Sequence, residues 1–295
     1  MSVLKAICFG EILYDNFPTY SRIGGAPLNV ASRLQSYGVE VGIISAVGND
    51  NNGKKLLGYL KGIGVDTSSI EINDQFRTGE VNVVLNDKGI ASYDIAYPVA
   101  WDKVPLSKKG LDQVKKSDIF IFGSLACRDG QSRSTLKALM TVAEYKVFDV
   151  NLRVPHYTRD IIVDLLMKSS FVKFNDDELF EVAGYLDIKF NSMERTIARL
   201  SLLTNTETIC VTKGAYGAVI YHKGAFYYNS GYRVKVVDTV GSGDSFLASV
   251  LYKLLSGEGP QKAIDFGCAV GAMVARSEGA NPIFTRKKIS SFMNS

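Results

Sequence analysis

Short apolar runs, each followed by a segment with helical spacing, recur along most of this 295-residue chain. The apolar residues within a run are nearly continuous rather than alternating, which is typical of strands buried on both faces of a sheet. Helical segments between such strands supply the crossovers that parallel strands need. The pattern therefore predicts an α/β fold in which helices cover both faces of a mainly parallel sheet. The predicted strands include residues 3–9, 41–47, 118–122, 146–150, 171–174, 208–212 and 218–221.

One part of the sequence departs from this pattern. Residues 80–85 alternate between polar and apolar side chains, and residues 86–89 then read Asn-Asp-Lys-Gly, which is typical of a hairpin turn. We expect a small antiparallel β lid formed by about residues 11–23 and 70–100. No repeat or linker divides the remaining sequence, so we expect one domain over residues 1–295.

The composition argues against several classes of function. The chain has 34 Lys and Arg against 30 Asp and Glu, an excess too small to suggest a nucleic-acid partner. No apolar stretch is long enough to cross a membrane, and the first residues lack the pattern of a secretory signal. The four cysteines form no Cys-x-x-Cys pair and there are only two histidines, which argues against a zinc site. We expect a cytoplasmic protein with reduced thiols.

A glycine-rich segment at residues 238–244 carries the strongest chemical signal. It reads Asp-Thr-Val-Gly-Ser-Gly-Asp between a strand predicted at residues 233–237 and a helix predicted from residue 243. The glycines let backbone N–H groups approach an anion, and the start of the helix adds positive potential. Asp244 would lie in the first helical turn, where its carboxylate can take a proton from a substrate hydroxyl. The spacing alone is explained equally well by a capped helix after a glycine turn.

Residues 48–55 nearly match the phosphate-binding pattern G-x-x-x-x-G-K-[ST]. However, Lys55 stands where the hydroxyl residue that binds Mg²⁺ should be, and Asp50 places negative charge where phosphates would lie. We therefore interpret this segment as the capped start of a helix over residues 54–63.

Two further segments carry polar groups suited to phosphoryl transfer. Residues 24–31 form a Gly-Gly loop that opens a helix, and the amide of Asn29 can both donate to and accept from sugar hydroxyls. Residues 175–178 follow a predicted strand, at the edge of the sheet where α/β folds bind ligands. Their oxygen atoms suit Mg²⁺ held largely through water.

These segments together resemble the motifs of the ribokinase-like, or PfkB, family of sugar kinases. Residues 24–31 resemble the family's N-terminal signature and residues 238–244 its C-terminal signature. Residues 175–178 are similar to its N-x-x-E motif, and residues 211–217 to its nucleotide-binding strand and turn. The resemblance extends over about residues 4–290. It implies a ribokinase-like three-layer sandwich and ATP-dependent phosphorylation of a small sugar.

The resemblance also implies roles for particular residues. Asp244 would be the catalytic base. Gly241, Ser242 and Gly243 would form the anion hole beside it. The nucleotide would contact Asn175, Thr212, Gly214, Gly217, Gly243 and Asn281. Glu178 would help to hold Mg²⁺ through water. Asp238 and Val240 match a loop that in many members also binds a monovalent cation such as K⁺.

Within the family the chain most resembles fructokinases, on the segments at residues 10–15, 24–29 and 149–153. Ala26 follows the Gly-Gly pair, where ribokinases and phosphofructokinases of the family tend to carry Lys. The sugar would contact Asp15, Gly25, Asn29 and Arg153. These implied roles make fructokinase the leading hypothesis for the activity.

Arg153 keeps other hypotheses open. A guanidinium group can bind a carboxylate or phosphate bidentately, so a 2-keto-3-deoxygluconate kinase is the close competitor. Arg153 could instead form a structural ion pair with Asp149 or Asp15. A nucleoside kinase and a non-catalytic sugar-sensing protein are further alternatives. Family members often pair through the lid sheet, so we expect a homodimer formed there.

Overall fold

The computed structural model describes residues 3–85, 91–189 and 192–294. In these ranges strands and helices alternate over most of the chain. The strands in chain order are β1 (Lys5–Phe9), β2 (Leu13–Asn16), β3 (Ser21–Gly24), β4 (Glu40–Gly48), β5 (Asp66–Asn73), β6 (Gly79–Leu85), β7 (Ala91–Ile95), β8 (Ile119–Gly123), β9 (Lys146–Asp149), β10 (Phe171–Asn175), β11 (Thr208–Thr212), β12 (Ala218–His222) and β13 (Ala225–Asn229). The α-helices are α1 (Ala26–Ser36), α2 (Asn51–Gly62), α3 (Lys108–Lys115), α4 (Gly130–Met140), α5 (Arg159–Leu166), α6 (Asp176–Tyr185), α7 (Met193–Thr204), α8 (Ser242–Leu255), α9 (Pro260–Ala275) and α10 (Arg286–Met293).

A nine-stranded sheet with the order β13-β12-β11-β10-β9-β8-β1-β4-β5 forms the centre of the described chain. Strands β11 through β5 in this order are parallel, and β12 and β13 extend the sheet in antiparallel fashion. All five residues of β8 are buried, as expected for a strand covered on both faces. The predicted mainly parallel sheet is confirmed.

Helices cover both faces of this sheet, as alternate residues of β1 show. Ala6 and Cys8 belong to an apolar cluster with α1, α2, α8 and α9. Ile7 and Phe9 belong to a second cluster with α3, α4, α5, α6 and α7. Because successive strand residues point to opposite faces, the chain has three layers. None of the helices that the structure describes combines the length and apolar character needed to cross a membrane.

The lid is a separate four-stranded sheet with the order β3-β2-β6-β7. Its β2–β3 and β6–β7 pairs are antiparallel, whereas β2 and β6 run parallel. Residues 70–73, which the sequence assigned to the lid, belong instead to β5 at the edge of the central sheet. The turn predicted at residues 86–89 lies outside the described residues.

The strand predicted at residues 233–237 is not formed. These residues join no sheet, and residues 233–236 instead line a cavity together with residues of α9. Their one backbone contact with that helix is from Val237 N–H to the carbonyl of Ala275, at 2.8 Å. The apolar β-branched residues of this segment led to the prediction of a strand. The segment instead lies at the surface, where Val236 is exposed.

Residues 48–55 form the capped start of a helix, as predicted. The side chain of Asp50 accepts from Gly53 N–H at 2.7 Å and so caps α2. The same carboxylate accepts from Thr78 N–H at 2.8 Å, just before β6 begins. The acidic residue of this segment thus joins α2 to the lid, and its oxygen atoms face amides rather than a phosphate.

Candidate active site

Two adjoining cavities lie at the edge of the central sheet where its parallel strands end. The first cavity has a volume of about 520 Å³ and is lined by the lid, α1, the end of β10 and the start of α8. The second cavity has a volume of about 610 Å³ and lies between residues 212–217, residues 231–236 and the helices α8 and α9. Thr212, Thr239 and Gly243 line both cavities, so the two spaces meet there. Ligands of open α/β sheets bind at this edge.

A larger cavity of about 690 Å³ lies at the opposite edge of the sheet. Its lining includes Lys5, Glu40 and Gln113, and it contains none of the site residues predicted from the sequence. The chemistry is therefore sought in the first and second cavities.

Asp244 lies in the first turn of α8, at the wall of the first cavity. Its Oδ2 accepts a hydrogen bond from the side-chain amide of Asn29 at 2.8 Å. Burial raises the pKa of Asp244 to about 6, and the nearby charge of Asp149 acts in the same direction. The carboxylate is thus oriented by a donor, ionised at neutral pH and more basic than an ordinary Asp, as a general base requires.

The backbone before Asp244 is shaped to receive an anion. Gly241 caps α8 with φ +74°, a conformation that favours glycine. A Cβ at Gly241 would lie 2.5 Å from the Cβ of Ala280, so close packing also requires glycine there. Backbone amides of the first helical turn have no acceptor within the helix and point toward the helix start. The Ser242 hydroxyl donates to the carbonyl of Gly271 at 3.0 Å, and its backbone N–H donates to the carbonyl of Thr239 at 3.2 Å, so both donors of this residue have partners within the protein.

Lys173 is a functional residue that the sequence analysis missed. Its side chain is buried on β10, and its Nζ donates to Asp149 Oδ1 at 2.8 Å. A Cβ added to Gly243 would lie 3.7 Å from this Nζ, so the cation adjoins the predicted anion hole. Burial alone would lower the pKa of Lys173, but the Asp149 and Glu178 carboxylates raise it above its ordinary value. The ammonium group therefore stays charged, and its position inside an otherwise apolar strand was the available signal.

Asn175 and Glu178 form a capping box at the start of α6. Asn175 Oδ1 accepts from Glu178 N–H at 2.8 Å, and Glu178 Oε2 accepts from Asn175 N–H at 2.9 Å. Glu178 Oε1 accepts from Leu152 N–H at 2.9 Å, and burial raises the pKa of this carboxyl group. Asn175 lines the first cavity, whereas Glu178 lies behind it.

These residues fit an Mg²⁺ ion held through water and phosphate oxygens rather than by a protein cage. Among the described residues, no group of three or more acidic, His or Cys side chains could hold a metal ion. Asp149 Oδ2 is buried and has no partner, and the Glu178 carboxylate keeps further lone pairs. Mg²⁺ commonly keeps several waters and binds one or two carboxylates together with substrate phosphates.

The predicted sugar contacts Asp15, Gly25 and Asn29 all line the first cavity. Burial raises the pKa of Asp15 to about 6. Gly25 has φ +109°, and a Cβ there would lie 2.4 Å from the carbonyl oxygen of Glu11, so this approach requires glycine. Asn29 donates to Asp244 and accepts from the side chain of Asn281 at 2.8 Å. The structure therefore brings these three residues together with the candidate base.

Glu11 also lines the first cavity and was not singled out in the sequence. Only 2% of this residue is exposed, and its Oε2 has no hydrogen-bond partner. Burial raises its pKa to about 7. An acidic residue two positions after the buried strand β1 was the signal that could have identified it.

Arg153 lines the first cavity as predicted, but not as part of an ion pair. Its Nη1 donates to the carbonyl of Leu152 at 2.8 Å. No carboxylate lies within ion-pair distance of Arg153 in the described parts of the chain, and Asp149 is paired with Lys173 instead. The alternative of a structural ion pair with Asp149 or Asp15 is therefore wrong, and the exposed guanidinium faces the cavity.

The second cavity contains most of the predicted nucleotide contacts. Thr212, Gly214 and Gly217 line it, together with the first-turn glycine Gly243. Asn281, in contrast, does not line this cavity. Its side chain supports Asn29 beside the first cavity, because the chain that follows α9 folds back toward α1.

In the loop predicted to bind a monovalent cation, the Asp238 carboxylate is paired with the side chain of Arg22. Asp238 Oδ2 accepts from Arg22 Nη1 at 2.6 Å and from Gly279 N–H at 3.2 Å. Asp238 Oδ1 accepts from Val240 N–H at 3.0 Å. The Asp238 carboxylate is therefore already paired with a guanidinium group and two backbone amides, and these donors do not fit a second cation at the same oxygen atoms.

Comparison with known proteins identifies the family. The pattern shared by pfkB family carbohydrate kinases matches residues 9–286. The chain belongs to this family. A fructokinase of Solanum tuberosum is 29% identical over 94% of this chain and 91% of its own length. Two solved structures cover 99% of both chains at 23% identity. They are a Vibrio cholerae fructokinase double mutant with bound fructose, ADP and potassium, with a TM-score of 0.86, and a putative Escherichia coli ribokinase II with ATP and Mg²⁺, with a TM-score of 0.87.

The geometry of this carbohydrate kinase suits transfer between the two cavities. A donor phosphate in the second cavity and an acceptor hydroxyl in the first would face each other across Gly243. Asp244 and Lys173 both line the first cavity beside that meeting point, and Lys173 Nζ is the atom nearest to a Cβ built at Gly243. Base, cation and first-turn amides are therefore arranged around one reacting centre, as phosphoryl transfer requires.

We expect kcat/KM of this kinase for its acceptor to fall as the pH drops through about 6, the pKa of Asp244 in the ligand-free protein. Above this pH the carboxylate is ionised and can accept the hydroxyl proton, and one unit below it roughly a tenth of the enzyme remains competent. The measurement is a pH profile of kcat/KM for the acceptor. In the matched Asp244→Asn variant, the residual turnover should be roughly 10²–10⁴-fold lower and should show no acid limb at this pH. An unchanged limb in that variant would contradict the assignment.

Replacing Lys173 by Met should lower kcat about 10²-fold, because a buried donor beside the transferred group is removed. The substitution also leaves Asp149 buried without its partner, which should lower the free energy of unfolding. The double variant Lys173→Met/Asp149→Asn separates the two effects. Its stability, measured by urea unfolding, should recover while its kcat stays low. Recovery of kcat along with stability would assign Lys173 a structural role alone.

Proposed function

We propose that this kinase transfers the terminal phosphoryl group of ATP to a hydroxyl group of fructose. The observation that supports a neutral sugar is the acceptor-rich wall of the first cavity, where Glu11, Asp15 and Asn29 lie together. Such groups pair with the hydroxyls of a polyol. Ala26 lies in the same wall and contributes no charge for a sugar phosphate. The similarity to plant fructokinases, at 26–29% identity, agrees with this proposal.

The proposed reaction begins at the hydrogen bond between Asn29 and Asp244. Asn29 holds the carboxylate toward the acceptor hydroxyl, and Asp244 takes the hydroxyl proton as the oxygen forms a bond to the terminal phosphorus. The bond from that phosphorus to the bridging oxygen of ATP breaks, and ADP remains in the second cavity. Lys173 and the first-turn amides offset the charge on the transferring group. Mg²⁺ bound to the phosphates would offset their charge further, with Asn175 and Glu178 holding its water ligands.

A second candidate substrate is 2-keto-3-deoxygluconate. The supporting observation is Arg153, whose guanidinium faces the first cavity without a carboxylate partner. A sugar acid would supply that partner through a bidentate pair. A nucleoside kinase remains a further alternative within the family. A non-catalytic sugar-sensing role is disfavoured, because Gly241, Gly243 and Asp244 are all present.

The test is a screen of ADP release with fructose, ribose, 2-keto-3-deoxygluconate and nucleosides as acceptors. We expect the highest kcat/KM with fructose, and we expect Arg153→Gln to change that value by less than about tenfold, because a neutral sugar leaves the guanidinium without a charged partner. If the sugar acid is preferred and Arg153→Gln lowers its kcat/KM by about 10²-fold or more, the second candidate replaces the first. Arg159→Gln, another exposed arginine outside both cavities, is the matched control.

We also propose that the protein is a homodimer formed through the lid. The strands β3 and β7 are the edges of the small sheet, and exposed edges need cover. Tyr20, between β2 and β3, is an exposed aromatic residue beside this sheet. The molar mass in solution, measured by light scattering, should be twice that of the chain, and a monomeric mass would contradict the proposal. A cytoplasmic location stays a prediction from the sequence.

A further inference from the structure

Arg22 connects the lid to the loop that precedes the candidate base. It lies on β3, and its Nη1 donates to Asp238 Oδ2 at 2.6 Å, across a separation of 216 residues in the chain. The two side chains are 32% and 19% exposed, so this is a partly buried, charge-assisted contact. A pair of this kind is stronger than a mobile ion pair at an open surface.

Asp238 connects the anion-hole loop to the segment that packs against it. Its Oδ1 fixes Val240 N–H at 3.0 Å, and its Oδ2 fixes Gly279 N–H at 3.2 Å. The next residue of each segment is Gly241 or Ala280, and these two pack against each other. The charge state and position of Asp238 therefore bear directly on the geometry of the first-turn amides.

The guanidinium of Arg22 is itself held by two aromatic rings of the lid. Its Cζ lies 4.8 Å from the centre of the Tyr20 ring and 5.9 Å from that of Phe17. The two rings stack on each other at 4.7 Å, and Phe17 also lines the first cavity. The cation thus adjoins the substrate space on one side and the anion-hole loop on the other.

We propose that Arg22 is a positioning residue whose guanidinium group replaces a monovalent cation in this kinase. Its fixed positive charge neutralises Asp238 and holds the anion-hole loop against residues 279–280, so phosphoryl transfer needs no added K⁺. The inference rests on membership of the kinase family and not on the choice of sugar. It also links the lid to the reacting centre, because the same side chain contacts both.

The test compares the wild type with Arg22→Gln in buffers containing tetramethylammonium, Na⁺ or K⁺ at one ionic strength. The acceptor is whichever sugar gives turnover in the ADP-release screen, so a failure of the fructose proposal does not affect the result. Wild-type kcat should be the same in all three buffers. Arg22→Gln should lose about tenfold to 10²-fold in kcat without K⁺, because the loop is no longer held, and should recover most of it when K⁺ is added.

A second measurement does not depend on activity. K⁺ should raise the melting temperature of Arg22→Gln relative to tetramethylammonium and leave that of the wild type unchanged. Arg22→Lys, which keeps the charge, should behave as the wild type in both measurements. Arg77→Gln is the matched control, because Arg77 is an exposed lid arginine with only a 3.9 Å contact to Glu80.

Three results would overturn the proposal. The first is strong stimulation of the wild type by K⁺, and the second is full K⁺-free activity of Arg22→Gln. The third is a loss of kcat in Arg22→Gln that K⁺ does not relieve, with no K⁺-dependent change in melting temperature. That last result would assign Arg22 to the lid alone.

Discussion

The ion pair between Lys173 and Asp149 permits the concentration of acidic groups at one edge of the central sheet. These residues lie opposite each other on the adjacent parallel strands β9 and β10, so the sheet register itself sets their 2.8 Å contact. A buried charge without a partner is strongly destabilising. With Lys173 in place, Asp244 and Glu178 can remain nearby, since each lies in the field of this cation. The same cation adjoins Gly243, so the residue that stabilises this edge also lies beside the candidate reacting centre.

The anion hole depends on contacts that are remote in sequence. Gly241 must adopt a positive φ and pack on Ala280, and Asp238 fixes amides in both of these segments. Asn281 directly follows Ala280 and donates a hydrogen bond to Asn29. Asn29 in turn donates to Asp244 and so orients it. The segment after α9 is therefore the structural support of the base rather than part of the nucleotide wall.

Features with a local cause could be predicted from the sequence. The continuous apolar strands specified the parallel sheet, and the glycines at residues 241 and 243 marked the start of α8 with Asp244 in its first turn. Lys173 was missed because the sequence does not show which residue of the neighbouring strand pairs with it. Without that partner, a single charged residue among apolar ones does not indicate a role. Asn281 was assigned to the nucleotide from the family resemblance, and its contact with Asn29 could not be predicted because it spans 252 residues. Residues 233–237 have the composition of a strand but no neighbour to pair with.

The reaction type can be predicted from the sequence more readily than the identity of the sugar substrate. The division of the site between the central sheet and the lid explains this difference. Asp244, Lys173 and the first-turn amides belong to α8 and β10, whose positions are fixed by the apolar layers. The residues that face the acceptor come partly from outside these layers, as Asp15 does from the lid and Arg153 from an exposed loop. Arg153, which is exposed in a loop, can vary without disturbing the core, since loop positions tolerate change better than packed ones. A family resemblance carried by glycines and a capped helix therefore indicates the type of chemistry, whereas the choice of sugar depends on individual side chains around the first cavity that the fold alone does not specify.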